Sequence, residues 1–239
     1  MTLSLVLVAT WCSAARAQQS FDLGAPAPTQ QPRFLTRGLA EAGVGMLALP
    51  AAKLCSDAAD RCLRGDSSLL LEAWTLVRPD PRYALGAGLG LGTNASDTAL
   101  ANSNDTVARK HGHRYFTAEF TGRWIPVEWG SIEPWLAGFA GLVVVSDSFA
   151  STTTTPTSGA AFLGPSASTL TTEGLSVGVG AGAAYRLSKR WALAAALRTN
   201  VWVLPSTPAR NPLGDETSLR GANFAYSLLG ALRYEVTLL

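Results

Sequence analysis

Only two histidines occur in this chain of 239 residues, His111 and His113, spaced two apart and preceded by Lys110. A His-x-His pair can hold a metal ion, but two ligands without a third make a weak site. Both fall in a polar stretch, Asn94–His113, that reads as a loop. No strand-like segment therefore carries a histidine able to activate a serine nucleophile. Catalysis, a metal and a cofactor are all unexpected. The run Gly88-x-Gly90-x-Gly92 has the look of a phosphate cradle, yet it continues a strand and no helix follows it.

The cysteines point to an oxidising compartment. Cys12 lies in an apolar leader, Leu3 to Cys12, which runs into Ala15-Arg16-Ala17, a small-x-small cleavage pattern before Gln18. Residues 1–17 thus read as a signal peptide. Its removal leaves Cys55 and Cys62 in a polar segment of an exported chain, where a disulfide is the simplest outcome. From 18 to 36, prolines at 26, 28 and 32 and the lack of alternation describe an extended periplasmic tether.

Charged residues form the third set. Glu41, Glu72, Glu119 and Glu235 stand beside Arg123, Arg186, Arg198 and Arg233 as four acids and four bases inside otherwise apolar segments. Each sits on the less apolar face of its segment. Buried charges must pair or lie in water, so an ion-pair network is expected wherever that face is enclosed.

Composition limits what can enclose it. Charged residues are 15% of the chain, hydrophobic ones 47%, and mean hydropathy is +0.17. Disorder is excluded by that apolarity. No run of about 18 uncharged apolar residues exists, so spanning helices are excluded too. A net charge of +2 without a basic block gives no footprint for nucleic acid. A β-barrel is the remaining way to meet a membrane.

The elements agree. Eight segments alternate with period 2: 38–49, 69–78, 82–93, 114–125, 133–145, 175–187, 191–203 and 224–238. In the third, Tyr83, Leu85, Ala87, Leu89 and Leu91 oppose Ala84, Gly86, Gly88, Gly90 and Gly92. Helices would lose about 1 kcal/mol at each interior glycine. Short links (79–81, 126–131, 188–190) alternate with long polar ones, including 94–113 and 146–174. That parity is the pattern of a membrane barrel with both termini in the periplasm.

The bulky face is expected to meet lipid and the small, charged face to fill the lumen, because a charge at the bilayer midplane costs about 2–4 kcal/mol. On this reading a serine at Gly88 fits an interior that already holds Ser176 and Ser227. Tyr83, Trp124, Trp135, Tyr185 and Trp191 lie beside the short links and are expected to form an aromatic girdle.

With its eight alternating strands, loop parity and terminal Tyr234-x-Val236-x-Leu238, the region 37–239 resembles the small outer-membrane barrels of the OmpA/OmpX type. The resemblance implies an all-β, eight-stranded antiparallel up-and-down transmembrane barrel with short periplasmic turns and long external loops. It also implies contact with outer-membrane lipid and lipopolysaccharide, insertion by the barrel-assembly machinery, and an outer-membrane location in a Gram-negative cell. The expected role is structural or surface-interactive, with any ligand bound by the external loops. The alternative is a narrow channel for small solutes or ions, and a membrane-embedded enzyme ranks below it.

Overall fold

The computed structural model describes residues 35–54, 63–93, 98–100, 109–151, 167–210 and 216–238. The signal peptide, nearly all of the tether, and Cys55 and Cys62 lie outside the described residues.

Among the described residues there are nine strands and no helix: β1 (Arg37–Leu54), β2 (Leu63–Asp80), β3 (Tyr83–Thr93), β4 (Thr98–Leu100), β5 (Arg109–Trp124), β6 (Ile132–Ser151), β7 (Ala167–Arg186), β8 (Trp191–Val203) and β9 (Ala222–Thr237). Neighbours pair antiparallel in chain order, β9 pairs with β1, and β3 pairs with β5. Eight strands therefore close on themselves and leave no sheet edge. The short β4 is an addition: it takes up pairing with β5 where β3 stops, at Thr98↔His111. Tight connections follow β2, β5 and β7. In the second of these, Trp129 and Ile132 exchange backbone hydrogen bonds of 2.8 and 3.0 Å around Gly130, whose φ of 60° suits a residue without Cβ.

The outer surface is apolar. Phe120 is 73% exposed, Val179 66% and Leu228 61%, whereas the charges of the same belt, such as Glu41, Glu119, Arg198 and Arg233, are buried inside. Water would penalise such a surface and hydrocarbon would not, so this is a membrane barrel. On β7 the outward apolar run extends from Leu175 to Tyr185, matching the ~9–11 residues a tilted strand needs to cross. Past it the outward positions turn polar: Thr171 and Glu173 on β7, Arg114 on β5, and Ser146 and Ser148 on β6.

Two sequence expectations are corrected here. Residues 109–113, 146–151 and 167–174 continue the strands beyond the hydrocarbon belt instead of forming loops. Polar side chains hid them because outward positions outside the belt have no reason to be apolar. The second correction concerns β6, whose lumenal face carries Trp135, Phe139, Val143 and Val145. The lumen is consequently not filled by small residues and charges alone.

Candidate functional site

Within the apolar belt the charged side chains of the barrel wall point into the lumen, and alternation is the reason. β5 sends Glu119 and Arg123 inward, β1 Glu41, β2 Glu72 and Arg78, β6 Glu133, β8 Arg198, and β9 Arg233 and Glu235.

The first cluster lies toward the short-turn end. Glu41 accepts from both terminal nitrogens of Arg123, at 2.8 and 2.7 Å, and from Arg233 Nε at 2.7 Å. Arg233 continues to Glu133 at 2.7 Å, and Arg78 reaches the same carboxylate at 2.5 Å. Glu128 pairs with Arg78 at 2.9 Å, and Arg186 sits 3.7 Å from Glu133 and 3.8 Å from Glu128. Glu235 stands 3.8 Å from Arg233 and 3.4 Å from Arg37.

The second cluster is smaller. Arg198 bridges Glu72, at 2.6 Å, and Glu119. One cation between two carboxylates leaves a local excess of negative charge, which neutral donors soften. Trp74 Nε1 donates to Glu72 at 2.8 Å, Ser176 Oγ to Glu119 at 2.6 Å, and Asn200 Nδ2 to Glu119 at 2.7 Å.

Between the clusters lies an aromatic layer. Trp74 meets Phe139 edge-on at 5.6 Å. The Arg123 guanidinium covers Trp135 at 4.5 Å, and Arg198 covers Phe139 at 3.9 Å and Trp74 at 5.2 Å. Each such cation–π contact is worth about 0.5–2 kcal/mol. The tryptophans fit because the opposing strands carry glycine. A Cβ at Gly88 would run into the Trp74 indole, and one at Gly182 into Trp135.

Toward the loop end the lumen is apolar. Leu47, Leu70, Tyr115, Val143, Val145 and Trp202 pack together with Leu229, and Tyr115 lies 5.4 Å from Trp202. Tyr115 also donates its hydroxyl hydrogen to Asp66. The described lumen retains two small cavities, of about 30 and 20 Å³, which share Glu72 and Arg198 in their walls. Each has room for a water or two.

All eight charges named from sequence take part in these pairs. Sequence reasoning passed over Arg37, Arg78, Glu128 and Glu133, which raise the balance to six arginines and six glutamates among the described residues. Strand parity was the available signal for Arg78, which shares a face with Glu72, and for Glu133, which precedes Trp135 by two. Of the girdle residues, Tyr83, Trp124, Tyr185 and Trp191 are outward and exposed. Trp135 is not one of them. It is 3% exposed inside the lumen, held by Arg123 above and by Gly182 opposite.

His111 and His113 are likewise displaced from their expected place. They belong to β5, are buried, and face inward above the membrane belt. Asp147 of β6 meets both rings, with its Oδ1 2.8 Å from His111 Nε2 and 3.4 Å from His113 Nδ1. Burial pushes the Asp147 carboxyl up, but hydrogen bonds from His111, His113 and Ser218 outweigh it and hold it below the usual carboxylate range.

Comparison with known proteins bears on the fold alone. A major outer membrane protein from Thermus thermophilus superposes with a TM-score of 0.53 at 15% identity, covering 85% of this chain and 100% of that one. Neisserial surface protein A (NspA) does so with a TM-score of 0.52 at 12% identity, covering 83% and 96%. No protein-family model and no curated protein matches the chain.

Proposed function

We propose that this chain, which has the fold of small outer-membrane β-barrels, is a closed anchor in the bacterial outer membrane that presents its external loops, without passing solutes or catalysing a reaction. The observation that carries this reading is the filled lumen. An ion-pair cluster, an aromatic layer, a second ion-pair cluster and an apolar plug succeed one another from the turn end to the loop end, and the two cavities beside Glu72 and Arg198 hold about 30 and 20 Å³. An aqueous pore needs a continuous column of water. Moving Arg198 aside would strand two carboxylates beside cavities with room for only a few waters, so the clusters favour a permanent closure over a gate.

The partners implied are outer-membrane lipid and lipopolysaccharide around the apolar belt, the assembly machinery during insertion, and a surface ligand at the loops. The test has two arms. The protein is expected to fractionate with outer membrane and to migrate anomalously on gels unless boiled. The same folded protein in planar bilayers is expected to give no steady single-channel current. A steady current would replace the anchor with a channel, and recovery in the salt-soluble fraction would remove the protein from the membrane altogether.

Export and oxidation complete the proposal: the mature chain begins at Gln18, and Cys55 and Cys62 are joined. Closing that small loop contributes about 2–3 kcal/mol on the chain-entropy model. The intact mass of the unreduced native protein checks both points. Free thiols, or a retained leader, would contradict them.

A further inference from the structure

We infer that His111, His113 and Asp147 form a binding site for one divalent transition-metal ion of the zinc class at the loop end of the barrel. Three side chains supply one ligand atom each, and these atoms all lie within 4.8 Å of one another. Sequence spacing offers only the histidine pair. The third ligand stands 34 residues beyond His113 and arrives through the ladder, which sets Asp147 opposite His113 and Phe149 opposite His111.

The geometry is that of ligands gathered on a common point. Both imidazoles aim a nitrogen at the same carboxylate oxygen, at 2.8 and 3.4 Å. Around a tetrahedral zinc with bonds of about 2.0–2.2 Å, ligand atoms stand roughly 3.3 Å apart. An ion among them would open the 2.8 Å contact and draw the two ring nitrogens, which lie within 4.8 Å of one another, toward that spacing.

The surroundings hold the ligands still. His111 stacks on Phe149 at 4.4 Å with 4° between the planes, and meets His113 edge-on at 4.4 Å. The second carboxylate oxygen of Asp147 accepts the Ser218 backbone N–H at 3.1 Å. Outer contacts of this kind fix ligand orientation in metal sites.

Charge supplies the independent argument. Each of the other buried acids, Glu41, Glu119, Glu133 and Glu235, has an arginine partner. Asp147 is fully buried, and its ion-pair partners among the described residues are the two imidazoles. A divalent ion held by the three would stand where an arginine stands beside each of the other four acids. The nitrogen donors select a borderline-soft ion over calcium or magnesium, which prefer oxygen.

The test uses the full chain without a histidine tag, oxidised, stripped with chelator and folded in detergent, its fold checked by heat-modifiable migration. Zn²⁺ is titrated by calorimetry and Co²⁺ by visible absorption. One equivalent of each is expected to bind, with Mg²⁺ in excess failing to displace Co²⁺. His111→Phe keeps a ring against Phe149 and removes a ligand, and Asp147→Asn removes the charge. Each is expected to weaken Zn²⁺ by more than the roughly 10–100-fold that loss of an outer contact costs. A folded parent with no saturable Zn²⁺ binding would reduce the triad to a hydrogen-bonded strut and overturn the proposal. So would displacement by Mg²⁺, or affinity unchanged in both folded variants.

Discussion

Arg198→Met is expected to destabilise the barrel by about 3–5 kcal/mol, the cost of breaking a buried ion pair from one side. Arg198 bridges Glu72 and Glu119, and its guanidinium lies over Phe139 and Trp74. Without it two carboxylates face each other in a layer that holds only a few waters. The neutral donors Trp74, Ser176 and Asn200 remain, yet they cannot cancel two charges. Unfolding in a urea series from lipid vesicles measures the loss. Adding Glu72→Gln and Glu119→Gln to Arg198→Met should recover most of it, because the triple variant buries no charge. Arg198→Lys should fall between parent and Arg198→Met, since a single ammonium cannot fork to two carboxylates while lying flat on a ring. A cost below about 1 kcal/mol for Arg198→Met would mean that the charges are hydrated and the lumen is wet at this level.

Leu89→Arg is expected to cost about 2–4 kcal/mol, because it puts a charge on the lipid face near the middle of β3. Its neighbour responds for a different reason. From sequence, Gly88→Ser looks mild, but the Trp74 indole fills the place a Cβ would take, so overpacking of about 1–3 kcal/mol is expected instead. The two causes separate in a Trp74→Ala background. There Gly88→Ser should cost markedly less than in the parent, whereas Leu89→Arg should cost the same, because additivity fails only for residues in contact. Equal costs for Gly88→Ser in both backgrounds would show that Trp74 does not lie on Gly88. Tolerance of Leu89→Arg would show that this face does not meet lipid.

The strands and their faces were readable where the two faces differ in kind. β3 and β7 set bulky apolar residues against glycine and alanine, and such a contrast admits one register. β6 did not, because Leu136, Leu142 and Val144 oppose Trp135, Phe139, Val143 and Val145, and both rows are apolar. Placing Trp135 in the girdle followed from its nearness to a short turn, when the charge two positions earlier, Glu133, was the better guide. Parity from Glu133 puts Trp135, Phe139 and Asp147 all on the lumenal side.

What the sequence by itself determined is whatever depends on local period: that the elements are strands, that eight of them cross, and that charges share one face. A two-residue repeat acts within a strand and needs no knowledge of its neighbours. Which charges meet across the lumen was decided only by the tertiary structure. Arg233 reaches Glu133, 100 residues away, and Arg198 reaches Glu72, 126 away, because closure of the sheet brings distant strands within one side-chain length. The same holds for His111, His113 and Asp147. Two of them announce themselves by spacing, but the third joins through the pairing of β5 with β6, and register is a property of two strands that neither strand encodes alone.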